Sequence, residues 1–311
     1  PGSGSVLIER NLIKGNSAGV GDGAGIRLSR INGQDVSVQG GGNNQTVNVD
    51  YTIDVINNMI VDNMAALAGG GISLQDALDV DILHNTIANN DNASTSGDAF
   101  KAGIPEQSNP QPGAGIVSRG HSAELAQFLP GNVAGFSDAN LVNNIVWHNR
   151  MFYWLLDDSD PNDVLSGLCP DILPGIGLAC GNAPVYDDLA VIPAAAGALN
   201  CNDCILSGAA DPAFVAEYVN GSRNTTTVIL EGTIQAVPAF DEGGNFIRLR
   251  YGPLTQTDTD NPSELLGDYH IQAGSSALDA ASDLDPPVTT DFDGDSRPGS
   301  DNNDIGADEM Q

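Results

Sequence analysis

The chain has 311 residues, 41% of them hydrophobic but only 5% aromatic, with 37 glycines. That is enough for one large domain or two smaller ones, with a core of Ile, Val, Leu and Ala in thin repeated layers rather than a bulky aromatic centre. The 41 Asp and Glu against 11 Lys and Arg, a formal net charge of −30, exclude nucleic acid as a partner, because phosphate backbones are held by cationic patches that release counterions. Such a surface either attracts divalent cations or keeps the protein soluble in saline surroundings. No apolar run is long enough to span a membrane.

The first predicted strand is Val6-Leu-Ile8, with no signal peptide before it, so the chain reads as a fragment or processed form of a longer exported protein. A motif then recurs. Ile8-Glu-Arg-Asn11-Leu-Ile-Lys-Gly-Asn16 is followed by Ile56-Asn-Asn58-Met-Ile-Val-Asp-Asn63, Leu83-His-Asn85-Thr-Ile-Ala-Asn-Asn90 and Val142-Asn-Asn144-Ile-Val-Trp-His-Asn149. A second element alternates with it: Gly23-Ala-Gly25-Ile-Arg-Leu28, Gly69-Gly-Gly71-Ile-Ser-Leu74 and Gly113-Ala-Gly115-Ile-Val117. Asn58 to Gly71 is 13 residues and Gly71 to Asn85 is 14, a cycle of 27; the other Asn-to-Asn intervals, 47 and 59, leave room for added loops or an extra degenerate coil.

Apolar residues alternating with period two, with frequent Gly and β-branched side chains, predict short strands and rule out a helical repeat. One such cycle cannot bury its apolar face alone, so cycles must stack. Asn at recurring turns tolerates left-handed backbone and can bond from layer to layer as a ladder. The pattern resembles the parallel β-helix repeats of pectate-lyase-like proteins over residues 6–156. That resemblance implies an all-β, right-handed parallel β-helix, with coils over 1–156.

Residues 157–205 break the pattern and are expected to form an irregular, cysteine-containing insert. It is acidic at Asp157, Asp158 and Asp160 and carries Cys169, Cys180, Cys201 and Cys204. Four cysteines in an exported chain suggest two disulfides; Cys201-Asn-Asp-Cys204 alone would be half of a zinc site. Just before the insert, Trp147, Tyr153 and Trp154 form a dense aromatic cluster. It is either a sugar-stacking or partner-docking patch, or a cover over one edge of the stack.

Residues 206–311 carry Ala210-Asp-Pro-Ala-Phe214, Asp268-Tyr-His-Ile-Gln272, Gly274-Ser-Ser-Ala-Leu-Asp279, Asp291-Phe-Asp-Gly-Asp-Ser-Arg-Pro298 and Asp304-Ile-Gly-Ala-Asp-Glu309. These segments, in this order, resemble the C-terminal end of bacterial β-helix surface proteins, including choice-of-anchor Q proteins; Ser276 and Ala281 depart from the usual Pro and Gly. The resemblance implies final coils with a capping region, and an extracellular or cell-surface location in a bacterium or archaeon.

Asp291, Asp293 and Asp295 alternate through a Gly-containing turn and are candidate Ca²⁺ ligands, though Gly294 and the missing twelfth-position Glu exclude an EF-hand. The alternative is a structural turn in which Arg297 pairs with Asp304 or Glu309. Pectate-lyase-like enzymes combine calcium carboxylates with a basic residue, and Arg27, Arg119 and His121 are the candidates beside the Gly-Ile elements; they form no recognisable catalytic set. Two functions stay open: a non-catalytic extracellular scaffold, adhesin or assembly subunit, and a polysaccharide lyase or glycoside hydrolase. The expected partners are polysaccharide, other surface proteins, or further copies joined end to end or laterally.

Overall fold

The computed structural model describes residues 4–33, 35–40, 45–157, 165–172, 180–181, 183–218, 227–229, 267–299 and 302–311. Among these the protein is all-β apart from one four-residue α-helix, Ala123–Ala126, and two short 3₁₀ turns. The backbone runs through four sheets in turn and then returns to the first. Sheet A holds Val6–Glu9, Ile53–Ile56, Val80–Leu83, Asn140–Val142 and Cys201–Asn202. Sheet B follows with Leu12–Lys14, Met59–Val61, Thr86–Ala88, Ile145–Trp147 and Ile205–Leu206. Sheet C collects the two-residue strands Ser17–Ala18, Met64–Ala65, Asp91–Asn92, Arg150–Met151 and Val185–Tyr186. Sheet D is Ile26–Ser29, Ile72–Gln75, Ile116–Arg119 and Leu189–Ile192. Each of the first four circuits adds one strand to each sheet, parallel to the last; the fourth adds a second, antiparallel strand, Val185–Tyr186, to sheet C, and Cys201–Asn202 and Ile205–Leu206 then extend sheets A and B.

Register keeps like over like. Ile26, Ile72, Ile116 and Leu189 stand in one column of sheet D, and Ile60, Ile87 and Val146 in one column of sheet B. The inward columns merge into one core containing Ile53, Val55, Ile60, Ile72, Leu74, Ile82, Ile87 and Ile116, all fully buried. Small β-branched and Leu side chains suit this thin interior, where each layer has to match the layer above.

The corner between sheets A and B is made by a left-handed residue followed by Asn. Arg10, Asn57, His84 and Asn143 have φ of 51–56°, and each precedes Asn11, Asn58, Asn85 or Asn144. The side chains form a ladder: Asn11 Nδ2 donates to Asn58 Oδ1 at 3.0 Å, Asn58 to Asn85 at 3.0 Å and Asn85 to Asn144 at 3.1 Å. A second ladder at the next corner joins Asn16, Asn63, Asn90 and Asn149 at 2.9–3.0 Å. The sequence separations along the first ladder are 47, 27 and 59 residues. The long intervals are therefore single steps with added loops, and no degenerate coil lies between them. The 47-residue step holds the hairpin Val36–Gln39/Thr46–Val49, and the 59-residue step holds Phe100–Lys101/Ile104–Ser108 and the Ala123–Ala126 helix.

The glycine element marks where circuits nearly touch. A Cβ on Gly25 would lie 2.5 Å from Gly71 O, one on Gly71 2.5 Å from Gly115 O, and one on Gly115 2.6 Å from Asp188 O. Asp188 continues the glycine column beside the edge strand of sheet D, Leu189–Ile192. Its carboxylate turns back to accept from Asn149 Nδ2 at 3.0 Å and Ser207 N at 2.6 Å, ending the second ladder.

The stacked sheets resume at Val185, inside the stretch 157–205 expected to be an insert. Tyr153–Asp157 and Leu165–Cys169 do leave the stack, joining Ile104–Ser108 in an antiparallel side sheet. Cys201 and Cys204 belong to the stack itself. They are disulfide-bonded to each other, and Cys204 occupies the next rung above Asn144, whose N–H it meets at 3.4 Å. Cys169 is disulfide-bonded as well; the Cys180 side chain, Asp158 and Asp160 lie outside the described residues.

Candidate functional site

Sheet B is buried on both faces. Outward Met59, Val61, Ala88, Ile145 and Trp147 lie under a layer built from Phe214, Tyr269, Ile271, Ala277, Ile305 and Ala307. Trp147 is 5% exposed beneath this layer, whereas Trp154 packs edge-on against Phe100 in the side sheet with ring centroids 5.6 Å apart. Tyr153 pairs with Cys169 in the same side sheet. The three aromatic residues therefore form no common patch, and Trp147 is a core residue.

The C-terminal layer is locked by its own motif residues. Asp291 Oδ1 accepts from Gly294 N and Asp295 N, both at 2.8 Å, and Oδ2 accepts from Glu309 N at 3.2 Å. Asp304 accepts from Asp279 N at 2.6 Å and Met310 N at 2.8 Å. Arg297, with its charged end wholly buried, donates to Glu309 Oε2 at 2.9 Å and to the carbonyls of Asp304 and Gly306. Arg297 thus pairs with Glu309, the structural alternative read from the sequence. The layer is pinned to the left-handed corner residues: Asn57 donates to Thr290 O, Asn143 to Ser282 O, and His84 Nδ1 meets Asp304 O at 3.2 Å. Burial holds His84 neutral, lowering its pKa to about 3.

Asp291, Asp293 and Asp295 do not turn toward one point. Asp291 is 1% exposed and occupied by backbone donors, Asp293 Oδ2 faces His270 Nε2 at 2.9 Å, and Asp295 is exposed. The described residues whose ligand atoms converge are His270, Asp293 and Asp308, all within 4.8 Å of one another. His270 had no place in the sequence reading, because Asp268-Tyr-His-Ile271 is a strand whose third residue meets two distant loops only in three dimensions.

The open face of sheet A carries a groove of about 350 Å³. Its floor is the outward column Leu7, Asp54, Asp81 and Asn140, and its far wall is the segment 284–290 of the C-terminal layer. Asn140 Nδ2 donates to Asp81 Oδ1 at 2.7 Å. Partial burial, and then the neighbouring Asp81 charge, push the Asp54 carboxyl above its ordinary range. Sequence alone could not single out this pair among so many acids; the signal was its equal offset before Asn58 and Asn85.

The basic candidates are dispersed. Arg27 is exposed on sheet D in register with Ser73, as the sequence offset indicated. Arg119 is held by both oxygens of Asp22, at 2.5 and 2.8 Å. His121 has a side chain 1% exposed, 3.5 Å from Asp76, and burial lowers its pKa. None of these three lines the sheet A groove.

Comparison with family models, known proteins and solved structures gives no match. Among the described residues no helix is long and apolar enough to cross a membrane.

Proposed function

We propose that the chain is a right-handed parallel β-helix serving as a non-catalytic scaffold in an exported bacterial or archaeal surface protein. The observation that carries this reading is the pair of buried asparagine ladders, bonded from the first described circuit to the fourth. They make the stack a stiff rod, cross-tied by side-chain bonds as well as strand pairing. Two further points support it. Arg119 and His121, which lyase chemistry would need free, are committed to Asp22 and packed against Asp76. Val6–Glu9 and Leu12–Lys14 are edge strands whose core-facing Val6, Ile8 and Ile13 are only partly buried, a surface suited to further coils or a second copy stacked end to end.

The groove on sheet A favours a second reading, a glycan-binding or glycan-cleaving cleft. Asp54 and Asp81 are register partners on adjacent parallel strands and line the groove together, giving it the carboxylate pair that glycan cleavage uses. One assay separates the two readings: incubation with a panel of acidic and neutral polysaccharides, with Ca²⁺ or EDTA, following unsaturated products and new reducing ends. The scaffold reading expects no turnover by protein shown to be folded. Turnover that Asp54→Asn abolishes would establish the cleft as an active site instead.

A further inference from the structure

His270 lies between two carboxylates. Its Nδ1 meets Asp268 Oδ1 at 2.5 Å, and its Nε2 meets Asp293 Oδ2 at 2.9 Å. Asp268 Oδ1 also accepts from His270 N at 3.1 Å, which fixes the carboxylate and with it the ring. Nδ1 therefore carries a proton and donates it, and in the neutral imidazole Nε2 then presents a lone pair to the Asp293 oxygen. Two lone pairs at that distance repel unless a cation lies between them, either a proton on Nε2 or a metal ion held by both atoms. Asp308 stands on the same side: it is buried, its Oδ2 accepts from Ile271 N at 2.8 Å, and its other oxygen is left for a ligand.

We propose that His270 Nε2, Asp293 and Asp308 bind a first-row transition-metal dication, with Asp268 as the positioning residue that orients the imidazole. A histidine whose far nitrogen donates to a carboxylate is the usual arrangement of a metal-ligating imidazole. The Nε2–Oδ2 separation of 2.9 Å suits two ligands about 2.0–2.2 Å from an ion and roughly at a right angle, as in an octahedral shell completed by water. One nitrogen with two carboxylates selects Zn²⁺, Mn²⁺ or Co²⁺ over Ca²⁺, which takes six to eight oxygens. The half-exposed Asp293 leaves the outer positions to water. The site ties together the strand Asp268–Ile271, the turn at 291–295 and the tail at 308, so the ion would staple the C-terminal layer whether or not the protein is a scaffold.

The test uses the full chain, stripped with EDTA and titrated with Zn²⁺ by calorimetry, and with Co²⁺ by visible absorption. The expected result is one ion per chain, a Co²⁺ spectrum with nitrogen in the ligand set, and a rise in melting temperature reversed by EDTA. His270→Gln and the surface-accessible Asp293→Asn should each abolish the stoichiometric step, and Asp268→Asn should weaken it about 10- to 100-fold. Absence of that step, or binding unchanged in Asp293→Asn and His270→Gln chains that circular dichroism shows folded, would overturn the proposal and leave His270 as an imidazolium bridging two carboxylates.

Discussion

Each ladder asparagine satisfies more groups than any other side chain could at its corner. Asn85 donates to Val55 O at 2.8 Å, Leu83 O at 3.0 Å and Asn144 Oδ1, while its own Oδ1 accepts from Asn58 N and Nδ2. All of this happens in a fully buried position, where an unmet donor or acceptor costs about 1–3 kcal/mol. Asn85→Leu should therefore cost about 3–5 kcal/mol in urea unfolding. Asn11→Leu, at the exposed end of the same ladder, should cost about 1 kcal/mol. Equal costs at the two positions would mean that the ladder contributes little beyond local turn geometry. Asparagine was legible in the sequence because the same atoms are needed at every circuit, so selection for one corner writes itself four times. Arg297–Glu309 was legible only as one of two pairings, since a single clamp leaves no repeat to compare.

At the scale of an element, the glycine turns and the two-faced sheet B follow from how closely layers approach. Gly71 needs no left-handed φ; it needs the absence of a Cβ, because Gly115 O lies 2.5 Å and Ile87 Cγ2 2.8 Å from where that atom would be. Gly71→Ala should lower stability by about 2–3 kcal/mol or more. Gly33→Ala, with open space around it, should stay within about 0.5 kcal/mol by the same unfolding measurement. The change from glycine to Asp188 in the top circuit is the natural version of this experiment. Strand existence in sheets A, B and D was readable from the period-two pattern, and the two-residue strands of sheet C were not, because two residues carry no period. The insert boundary was misplaced for a related reason. Residues 185–206 rejoin the stack through backbone pairing while their corner residues, Asp188 and Cys204, no longer spell the repeat.

For the molecule as a whole, one buried imidazole ties the C-terminal layer to the stack, and it should make that union sensitive to acid. His84 Nδ1 donates to Asp304 O, and Nε2 accepts from Asn143 Nδ2 at 3.1 Å, so only the neutral ring fits. Its folded pKa of about 3 lies below the ordinary 6.5. The folded state thus binds fewer protons between those values; the stabilisation is complete above 6.5 and is lost as pH falls toward 3, by about 1.4 kcal/mol per pH unit. Asp187, raised to about 6 by burial, acts in the opposite sense, losing stability as pH rises from 3.8 toward 6. The expected outcome is a stability difference between wild type and His84→Gln that shrinks steadily from pH 7 to pH 4. A difference that does not change with pH would show that His84 titrates normally in the folded protein.

The sequence by itself determined the repeating unit, the inward and outward faces of its strands, and the buried rows of asparagine and glycine, because stacked circuits impose the same contacts at regular positions. It also marked the C-terminal motifs, though not what they do. Only the tertiary structure decided that those motifs bond to one another, that Trp147 is sealed beneath them, and that Asp54 and Asp81 face a groove. Only it brings His270 to Asp293 and Asp308. Those relations join segments far apart in the chain that meet once, and a contact made once leaves no periodic trace in the order of residues.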